Sequence, residues 1–430
     1  MLRQRLSNRR LLIDLLALMF GLGTWIGVNG IYIQLPLIIH IAPEGWSLPA
    51  YLVMLVQFAN LGPILHSLYT KYTAWACDKY IIYALLAVET CACVALSFLY
   101  DHTSVVFGNK HSTALMSLMF VTALVGCTSS VLFMPYMKNY REIYLVSYLV
   151  GEGLSGFVLS AVAMIQGVGS STGCVNVTKP GSSHLEFVPA KPTPRFSSEI
   201  FFILVGTLQC LSFLSFLGLN TLPVVCKEKV KLPSCMEILP TDATASPSYK
   251  INFRKMPKFI YYYSLVMIAV ICFLSHGILP SIQSYSCLPY GNTAYHLTVT
   301  LTSIAGPLAI SFGYFMKTPE VKLLNILMAA ILALSSFVLY LAVKSPHPPL
   351  QHSWAGKLMV VLIWIMLCGL IGFVKMGIAT LYRLDPGKGL YYVGVATQIG
   401  SFIGAIIMFG LVNYAKVFLS YSSCPYPTEN

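Results

Sequence analysis

The first long apolar segment of the chain, from Leu11 to Ile41, reads LLIDLLALMFGLGTWIGVNGIYIQLPLIIHI. A helix needs about 20 apolar residues to cross the hydrocarbon core of a bilayer, and this segment is longer than that. Arginines precede it, as in a signal peptide, but the apolar run continues too far and contains no small-residue cleavage site. The segment therefore predicts a membrane-spanning helix.

The rest of the chain has the same character. Of its 430 residues, 57% are hydrophobic and 10% are charged, whereas a soluble domain carries about 25% charged residues. In lipid, the backbone polar groups of each segment must be satisfied internally, so the sequence predicts an all-α membrane protein. We identify eleven transmembrane helices, about Leu11 to Ile41, Ala50 to Tyr69, Tyr80 to Tyr100, Ser112 to Met137, Ile143 to Gly167, Glu199 to Leu222, Phe259 to Gln283, Tyr295 to Met316, Val321 to Val343, Lys357 to Tyr382 and Leu390 to Ala415.

The basic residues indicate the orientation of these helices. If the N-terminus is inside, the inner segments contain 19 Lys and Arg residues and the outer segments contain 7. This asymmetry predicts an N-terminus inside and a C-terminus outside. The net charge of +12 does not indicate nucleic acid as a partner, because the basic residues form short clusters between apolar runs instead of one patch. We expect the lipid bilayer as the partner, and the sequence leaves the oligomeric state open.

An internal repeat organises the spans. Shifts of 244 and 243 residues bring short identities into register, namely Ala50-Tyr51 with Ala294-Tyr295, Gly62-Pro63 with Gly306-Pro307, and Val150-Gly151 with Val393-Gly394. These matches predict two parallel units of six and five helices, a transporter architecture with its site at the repeat interface. Chance similarity between apolar helices is the alternative. By analogy with such folds, we expect the first, fourth, seventh and tenth spans to line the cavity.

The repeat also suggests a division of the chain. We expect an N-terminal six-helix bundle at 1–222, a cytoplasmic linker at 223–257, a C-terminal five-helix bundle at 258–415 and an extracellular tail at 416–430. The linker is rich in Pro, Lys and Ser and lacks apolar periodicity, which is typical of a flexible connection.

The outer segments contain two further features. Asn176-Val177-Thr178 is a glycosylation sequon in the longest outer loop. Cys174, Cys287 and Cys424 are the outer cysteines, of which a disulfide can join only two. We favour Cys287 with Cys424 because both follow a span directly, and pairs that include Cys174 remain the alternative. No cysteine and histidine spacing indicates a metal site, and we expect no cofactor.

Polar residues inside the spans indicate where a substrate binds. In the first span, Trp25, Asn29 and Tyr32 are spaced four and three residues apart and share one helix face. An aromatic plate beside an amide suits a flat ligand that forms hydrogen bonds. The alternative is helix packing held by Asn29.

Two other spans contribute candidates. In the fourth span, Thr128 and Ser129 precede Phe133; their hydroxyls either contact substrate or bond back to their own helix. In the seventh span, His276 precedes a glycine and echoes Asn29-Gly30. Three interpretations of His276 are open: a gating residue, a proton-sensitive group, or a histidine that is hydrogen-bonded to a neighbouring carbonyl.

Ionisable groups within spans are costly and need a cavity or a partner. Glu89, Glu152 and Lys375 are such groups. Lys375 either faces the cavity or extends to the inner surface. We expect Glu152 to pair with Lys375 or to titrate during transport, and Glu89 to be structural. Amides recognise a neutral polar molecule without a counter-charge, and the spans provide Gln57, Asn60 and Gln398.

Several motifs resemble those of the eukaryotic riboflavin transporter family. They are Gly27-Val28-Asn29-Gly30, Gln34-Leu35-Pro36, Pro43-Glu44-Gly45-Trp46-Ser47-Leu48-Pro49, Cys127-Thr128-Ser129-Ser130, Gly151-Glu152-Gly153-Leu154-Ser155-Gly156, Gln283-Ser284-Tyr285-Ser286-Cys287-Leu288-Pro289-Tyr290-Gly291 and Val374-Lys375. The resemblance extends from the first span to the last. It implies uptake of vitamin B2 at the plasma membrane by an eleven-helix carrier of the major-facilitator or equilibrative nucleoside transporter type.

The chain departs from this family at two positions. The family usually has an acid at the position of Gln34, and some members have an aspartate at the position of Gly126. Proton coupling through those acids is therefore not implied for this chain.

The resemblance also agrees with the candidate site. Riboflavin is a neutral, planar tricycle with a uracil-like edge and a polyhydroxyl tail. Trp25 or Phe133 would stack on its ring, and the edge and tail would meet the amides of Asn29, Gln34, Gln57 and Asn60. We expect alternating access of the two halves and no chemistry on the substrate. A carrier of another neutral ring compound, such as a nucleoside, and a receptor or scaffold that transports nothing are the alternatives.

Overall fold

The computed structural model describes residues 10–73, 78–106, 108–167, 174–178, 185–189, 193–226, 228, 257–315, 320–383 and 389–420. Most of these residues are helical, and each predicted span coincides with a helix or with a helix interrupted by a break. The N-terminal half contains the helices Leu11–Leu22, Ile26–Ile38, Leu48–Ala59, Leu61–Tyr72, Asp78–Leu99, Thr113–Tyr136, Glu142–Gln166 and Ser198–Thr221. The C-terminal half contains Lys258–Cys272, the π-helix Phe273–Ile278, Leu279–Cys287, Asn292–Phe315, Val321–Val343, Trp354–Arg383 and Gly389–Asn413.

We number the helices by predicted span, so that Asp78–Leu99 is the third helix and Gly389–Asn413 is the eleventh. The first helix is the pair Leu11–Leu22 and Ile26–Ile38, and the seventh extends from Lys258 to Cys287 through its π-helical turn. We call the end of the bundle at which Ile38 lies the outer end, and the opposite end the inner end.

The described helices have the length and composition of membrane spans. Nine helical segments pass this test, and the bent pair of the first helix is a tenth. The eighth helix, Asn292–Phe315, is not among them. Large apolar side chains are exposed on the outside of the bundle, including Phe98 at 60% and Trp354 at 76%, where lipid would cover them. The all-α membrane fold is confirmed, and the count of eleven and the orientation stay predictions.

Glycines let pairs of helices approach closely within each half. A methyl group added to Gly151 of the fifth helix would lie 2.0 Å from the carbonyl oxygen of Leu18 in the first helix. In the other half, a methyl group on Gly400 of the eleventh helix would lie 2.1 Å from the carbonyl oxygen of Ala269 in the seventh. Small residues permit this backbone contact, which drives helix association in lipid. The first and fifth helices therefore pack as the seventh and eleventh do, in agreement with the predicted repeat.

The two halves meet along several helix pairs, including the second helix with the seventh. The fifth helix packs against the eighth, and the second packs against the eleventh. Tyr51 and Phe409 form an edge-to-face ring contact between the second and eleventh helices, with centroids 5.0 Å apart. The first helix also contacts the eighth. The helices of these pairs therefore form the boundary at which a site between the halves has to lie.

Short hairpins and loops connect the helices. Ser104–Val106 pairs with Asn109–His111 at the outer end, and Cys174–Thr178 pairs with Leu185–Pro189 between the fifth and sixth helices. The predicted linker at 223–257 and the tail at 416–430 fall mostly outside the described residues. The assigned domain boundaries stay predictions.

Candidate functional site

A break in the first helix positions Trp25. The helix bends by 55° between Leu22 and Ile26. Gly23 fits at this bend because a methyl group there would lie 2.1 Å from Ser212 Oγ of the sixth helix. Trp25 is half-buried, and its ring lies 3.0 Å from where a methyl group on Gly126 would stand. The break thus presents an aromatic ring against the fourth helix.

Asn29 lies where both halves meet. Its Nδ2 donates to Ser155 Oγ of the fifth helix over 2.9 Å, and Ser155 Oγ donates to the carbonyl oxygen of Glu152 over 2.8 Å. A methyl group on Gly156 would lie 3.8 Å from Asn29 Nδ2 and 3.3 Å from the carbonyl oxygen of Ser303 in the eighth helix. Asn29 is half-buried. Among the described residues its Oδ1 has no hydrogen-bond partner, so this oxygen can accept from a ligand.

A second polar group lies in the C-terminal half. Lys375 Nζ of the tenth helix lies 2.9 Å from His276 Nε2, and His276 Nδ1 lies 2.9 Å from Ser401 Oγ of the eleventh helix. Ser401 Oγ donates its only proton to the carbonyl oxygen of Thr397, so it accepts from His276 Nδ1–H. His276 Nε2 is then the acceptor of the Lys375 ammonium. The side chain of Lys375 is therefore held by His276 within the bundle and does not extend to the inner surface.

The π-helical turn at Phe273–Ile278 carries His276. Turns of this kind are rare in proteins, and many of those that occur lie at functional sites. Gly277 allows the turn to lie against the eleventh helix, because a methyl group there would be 2.5 Å from the carbonyl carbon of Gly404. This contact aligns His276 with Ser401.

The structure does not contain the ion pair expected between Glu152 and Lys375. Both side chains are half-buried, but the ion pairs between described residues do not include either of them. The two residues belong to different halves, and His276 is the closer partner for Lys375. Glu89, by contrast, is fully buried and accepts from Gln209 Nε2 over 3.0 Å, as expected for a structural contact.

Gln34 lies in a packing contact of the N-terminal half. Its Nε2 donates to Gln166 Oε1 over 2.7 Å, and its Oε1 accepts from Ser198 Oγ over 2.8 Å. Gln166 Nε2 donates in turn to the carbonyl oxygen of Phe196. Gln34 is 1% exposed. The first, fifth and sixth helices are joined by this network, and it does not bring Gln34 to the cavity.

Three candidates of the fourth helix are also buried. Thr128 Oγ1 donates to the carbonyl oxygen of Leu124, and Ser129 Oγ donates to that of Gly126. These hydroxyls follow the alternative in which they bond to their own helix. Phe133 is fully buried and stacks on Phe20, with ring centroids 5.2 Å apart. In this conformation none of these three side chains presents a surface to a ligand.

The remaining candidates lie at intermediate positions. Tyr32, one turn beyond Asn29, is half-buried. Asn60 is half-buried at the break of the second helix, and its Nδ2 lies 3.5 Å from Oε1 of the nearly buried Gln57. Gln398 is exposed, three residues before Ser401 on the eleventh helix. Of these four side chains, only that of Gln57 is buried.

Contacts at the outer end close the space between the halves. His40 Nε2 lies 3.2 Å from Asn292 Oδ1, and Ser284 Oγ donates to the carbonyl oxygen of Trp46 over 2.9 Å. The rings of Trp46 and Tyr285 are also in edge-to-face contact across the halves. These contacts join the loop after the first helix to the seventh and eighth helices.

The sequence matches one family model along nearly its whole length. The model of solute carrier family 52, riboflavin transporter, matches residues 9–420. The chain belongs to this family. It is thus a member of a family of multi-pass membrane transporters and not of an enzyme family.

Curated relatives in the riboflavin transporter family are similar over their full length. Solute carrier family 52, riboflavin transporter, member 3-A from Danio rerio is 37% identical and covers 96% of this chain and 98% of its own. Member 3 from Homo sapiens is 34% identical with the same coverage, and member 2 from Homo sapiens is 32% identical over 98% of both chains.

Solved structures share the fold of this riboflavin transporter family member. The nucleoside transporter NupG superposes with a TM-score of 0.55 over 93% of this chain and 91% of its own, at 9% sequence identity. A bacterial homologue of the iron transporter ferroportin, in an inward-facing state, superposes with a TM-score of 0.53 over 96% and 93%, at 15% identity. These likenesses confirm the transporter architecture expected from the repeat.

Several residues at the site of this family member escaped the sequence analysis. Ser155, Ser303 and Ser401 supply hydroxyl or carbonyl oxygens beside Asn29 and His276. Serine is frequent in these spans, so its presence is not informative. The glycine at 156, next to Ser155, is a usable signal, because a glycine beside a polar residue in a span often marks close backbone approach.

Two outer features of this family member are only partly described. Asn176 lies in the strand Cys174–Thr178, opposite Phe187. Cys287 is a fully buried free cysteine, and Cys424 lies outside the described residues. The glycosylation and the Cys287–Cys424 disulfide therefore stay predictions.

Proposed function

We propose that this chain carries riboflavin across the plasma membrane into the cell by alternating access. Its membership of the family is the observation that carries the proposal: relatives at 37% and 34% identity over nearly the whole chain are named riboflavin transporters. Identity of this extent along the whole length supports a common substrate class.

The accessible polar groups are compatible with riboflavin. Trp25 and Tyr32 offer aromatic surface for a planar tricycle. Asn29 Oδ1 accepts a hydrogen bond, which suits the imide N–H of the flavin edge, while the ammonium of Lys375 suits its carbonyl oxygens. Asn60 and Gln398 suit the hydroxyls of the tail. Riboflavin is neutral, so it does not require a fixed counter-charge.

The contacts at the outer end support alternating access. Asn29 lies at the boundary of the halves, where carriers built from parallel repeats bind substrate. The closure by His40, Asn292, Ser284 and Trp46 corresponds to the state in which substrate is released toward the inner end. Rocking of the halves about the site would break these contacts and admit substrate from outside.

Uptake of labelled riboflavin into cells that express the chain tests the proposal. We expect saturable uptake above that of mock-transfected cells, and competition by unlabelled riboflavin but not by a nucleoside. Inhibition by nucleosides together with weak inhibition by riboflavin would indicate the alternative carrier. Absence of any uptake at verified surface expression would contradict transport and favour a receptor. Varying external pH and replacing sodium would reveal ion coupling.

The location and modifications require their own test. Surface biotinylation of the same cells should label the chain if it resides in the plasma membrane. If the outer loop is glycosylated, the Asn176→Gln variant should migrate on a gel like the wild-type chain after glycosidase treatment. Labelling of Cys287 and Cys424 by a thiol reagent in the denatured chain, only after reduction, would support the disulfide.

A further inference from the structure

Glu152 and Lys375 are opposite charges in the membrane interior, one in each half of the molecule. Each is half-buried, and neither forms an ion pair with a described residue. A charge inside the membrane normally faces a water-filled cavity or pairs with another. Two opposite charges that lack a counter-charge among the described residues, on halves that move relative to each other in alternating access, are candidates for an ion pair in another state.

The two residues lie at similar depth, on helices that both pack against the eighth helix. A methyl group on Gly156 of the fifth helix would be 3.3 Å from the carbonyl oxygen of Ser303, and one on Gly372 of the tenth would be 2.9 Å from that of Gly306. Ser303 and Gly306 are one turn apart on the eighth helix. The fifth and tenth helices therefore flank the eighth at one level.

Each charged residue lies one helical turn from these contacts, in the direction of the inner end. Glu152 precedes Gly156 by four residues in a helix that extends from the inner to the outer end. Lys375 follows Gly372 by three residues in a helix that extends from the outer to the inner end. Glu152 and Lys375 thus both lie on the inner side of the contacts that the fifth and tenth helices make with the eighth.

In this state the imidazole of His276 holds the ammonium group of Lys375 by a hydrogen bond. It accepts from Lys375 through Nε2, and Ser401 fixes its tautomer by accepting from Nδ1–H. A neutral acceptor offsets part of the cost of burying the ammonium but leaves its charge unneutralised. Lys375 can therefore exchange His276 for a carboxylate that comes within reach.

We propose that Glu152 and Lys375 form an ion pair between the halves when the inner end closes, and that Lys375 returns to His276 when the inner end opens. The inference rests on the alternating access proposed above. The pair would close the inner side of the site while the outer side admits substrate, which makes both residues part of the transport cycle without a required contact to riboflavin.

A charge swap tests the pair. We expect Glu152→Lys and Lys375→Glu each to lower riboflavin uptake about tenfold at equal surface abundance, because the inner end then closes on two like charges. The double swap should restore uptake to at least about a third of wild type, since a coupled pair is not additive. Lys357→Glu, at the exposed outer end of the same helix, is the matched control and should stay within about twofold.

Cross-linking tests the pair without relying on transport. Glu152→Cys combined with Lys375→Cys should cross-link with a short bifunctional thiol reagent in membranes without riboflavin. The yield should fall when the outer end is locked by a disulfide between His40→Cys and Asn292→Cys. Glu152→Cys with Lys357→Cys is the control pair, and the single cysteine variants correct for native thiols.

The outcomes separate this inference from the proposed function. Absence of riboflavin uptake in cells that express the wild-type chain would contradict the proposed function. The cross-link, by contrast, is measured without substrate and does not depend on it. A double swap no better than either single change, in protein that reaches the surface, overturns the ion pair. If the swapped protein does not reach the surface, a cross-link yield no higher than that of the control pair overturns it.

Discussion

Asn29 is the residue at which the two halves and the candidate site coincide. Its amide nitrogen is occupied by Ser155, while its oxygen has no partner among the described residues. An amide fixed at one end and open at the other is well oriented for a ligand, because little side-chain entropy remains to be lost on binding.

Replacement of Asn29 by alanine should weaken substrate binding. Loss of one neutral hydrogen bond costs about 0.5–1.5 kcal/mol, so we expect the KM for riboflavin uptake to rise by a factor of about 2 to 10 at unchanged surface abundance. Asn413→Ala is the matched control, since the side chain of Asn413 donates to Phe409 of its own helix and has no other hydrogen-bond partner among the described residues. Equal kinetics of the Asn29 variant and wild type would remove Asn29 from the site.

Gln34 provides the opposite case of a polar residue that acts in packing. Gln34→Ala leaves the buried amide of Gln166 and the hydroxyl of Ser198 without their partner. Each unsatisfied group costs about 1–3 kcal/mol. We expect a lower melting temperature of the purified protein and a normal KM for the fraction that folds. A raised KM at normal thermal stability would instead indicate that Gln34 contacts substrate.

At the scale of elements, glycine contacts determine which helices pair. The first and fifth helices touch through Gly151, and the seventh and eleventh touch through Gly400. These contacts occupy corresponding places in the two halves, and each one lies beside a polar group of the site. Helix packing and site geometry are therefore coupled.

Alanine at these glycines should disrupt the pairs. The added methyl group would stand about 2 Å from a carbonyl oxygen at Gly151 and Gly400, and overpacking costs about 1–3 kcal/mol or more. We expect Gly151→Ala and Gly400→Ala to lower thermal stability and surface abundance. Gly153→Ala and Gly394→Ala are matched controls, because a methyl group there meets no atom within 4 Å. Equal stability of all four variants would contradict the close contacts.

At the scale of the whole molecule, contacts between neutral groups close the outer end. Two hydrogen bonds and one ring contact join the loop after the first helix to the C-terminal half. A hydrogen bond between neutral groups contributes about 0.5–1.5 kcal/mol, so contacts of this kind are suited to break during a cycle.

A disulfide across the outer end should arrest transport. We expect oxidised His40→Cys/Asn292→Cys to lose nearly all riboflavin uptake and to regain it on reduction, because the outer end can no longer open. The single cysteine variants should be insensitive to oxidant and serve as controls. Undiminished uptake by the cross-linked protein would show that the outer end need not open there.

The fold was largely predictable because lipid restricts what a chain can do. Each predicted span coincides with helical structure, since an apolar stretch has to satisfy its own backbone. The position of the break at Gly23 and the π-helical turn at Phe273–Ile278 were not predicted. Both depend on contacts with the sixth and eleventh helices, which no local pattern records.

The candidate site was predictable only in part. Asn29, His276 and Lys375 were identified because a polar residue in a span is costly and needs a reason. Gln34 satisfies the same criterion and Phe133 was identified as a stacking surface, yet both are buried against neighbours. An amide or aromatic ring has the same sequence signature whether it contacts a ligand or another helix.

The sequence by itself determined that this chain is a helical membrane transporter, because hydropathy, charge asymmetry and family motifs are local properties of the chain. Only the tertiary structure decided which polar groups meet. In the folded chain Asn29 donates to Ser155, close to the carbonyl oxygen of Ser303. Lys375 contacts His276 instead of Glu152, which lies in the opposite half. Such partners are set by the packing of helices far apart in the sequence, and packing depends on shape at every contact at once.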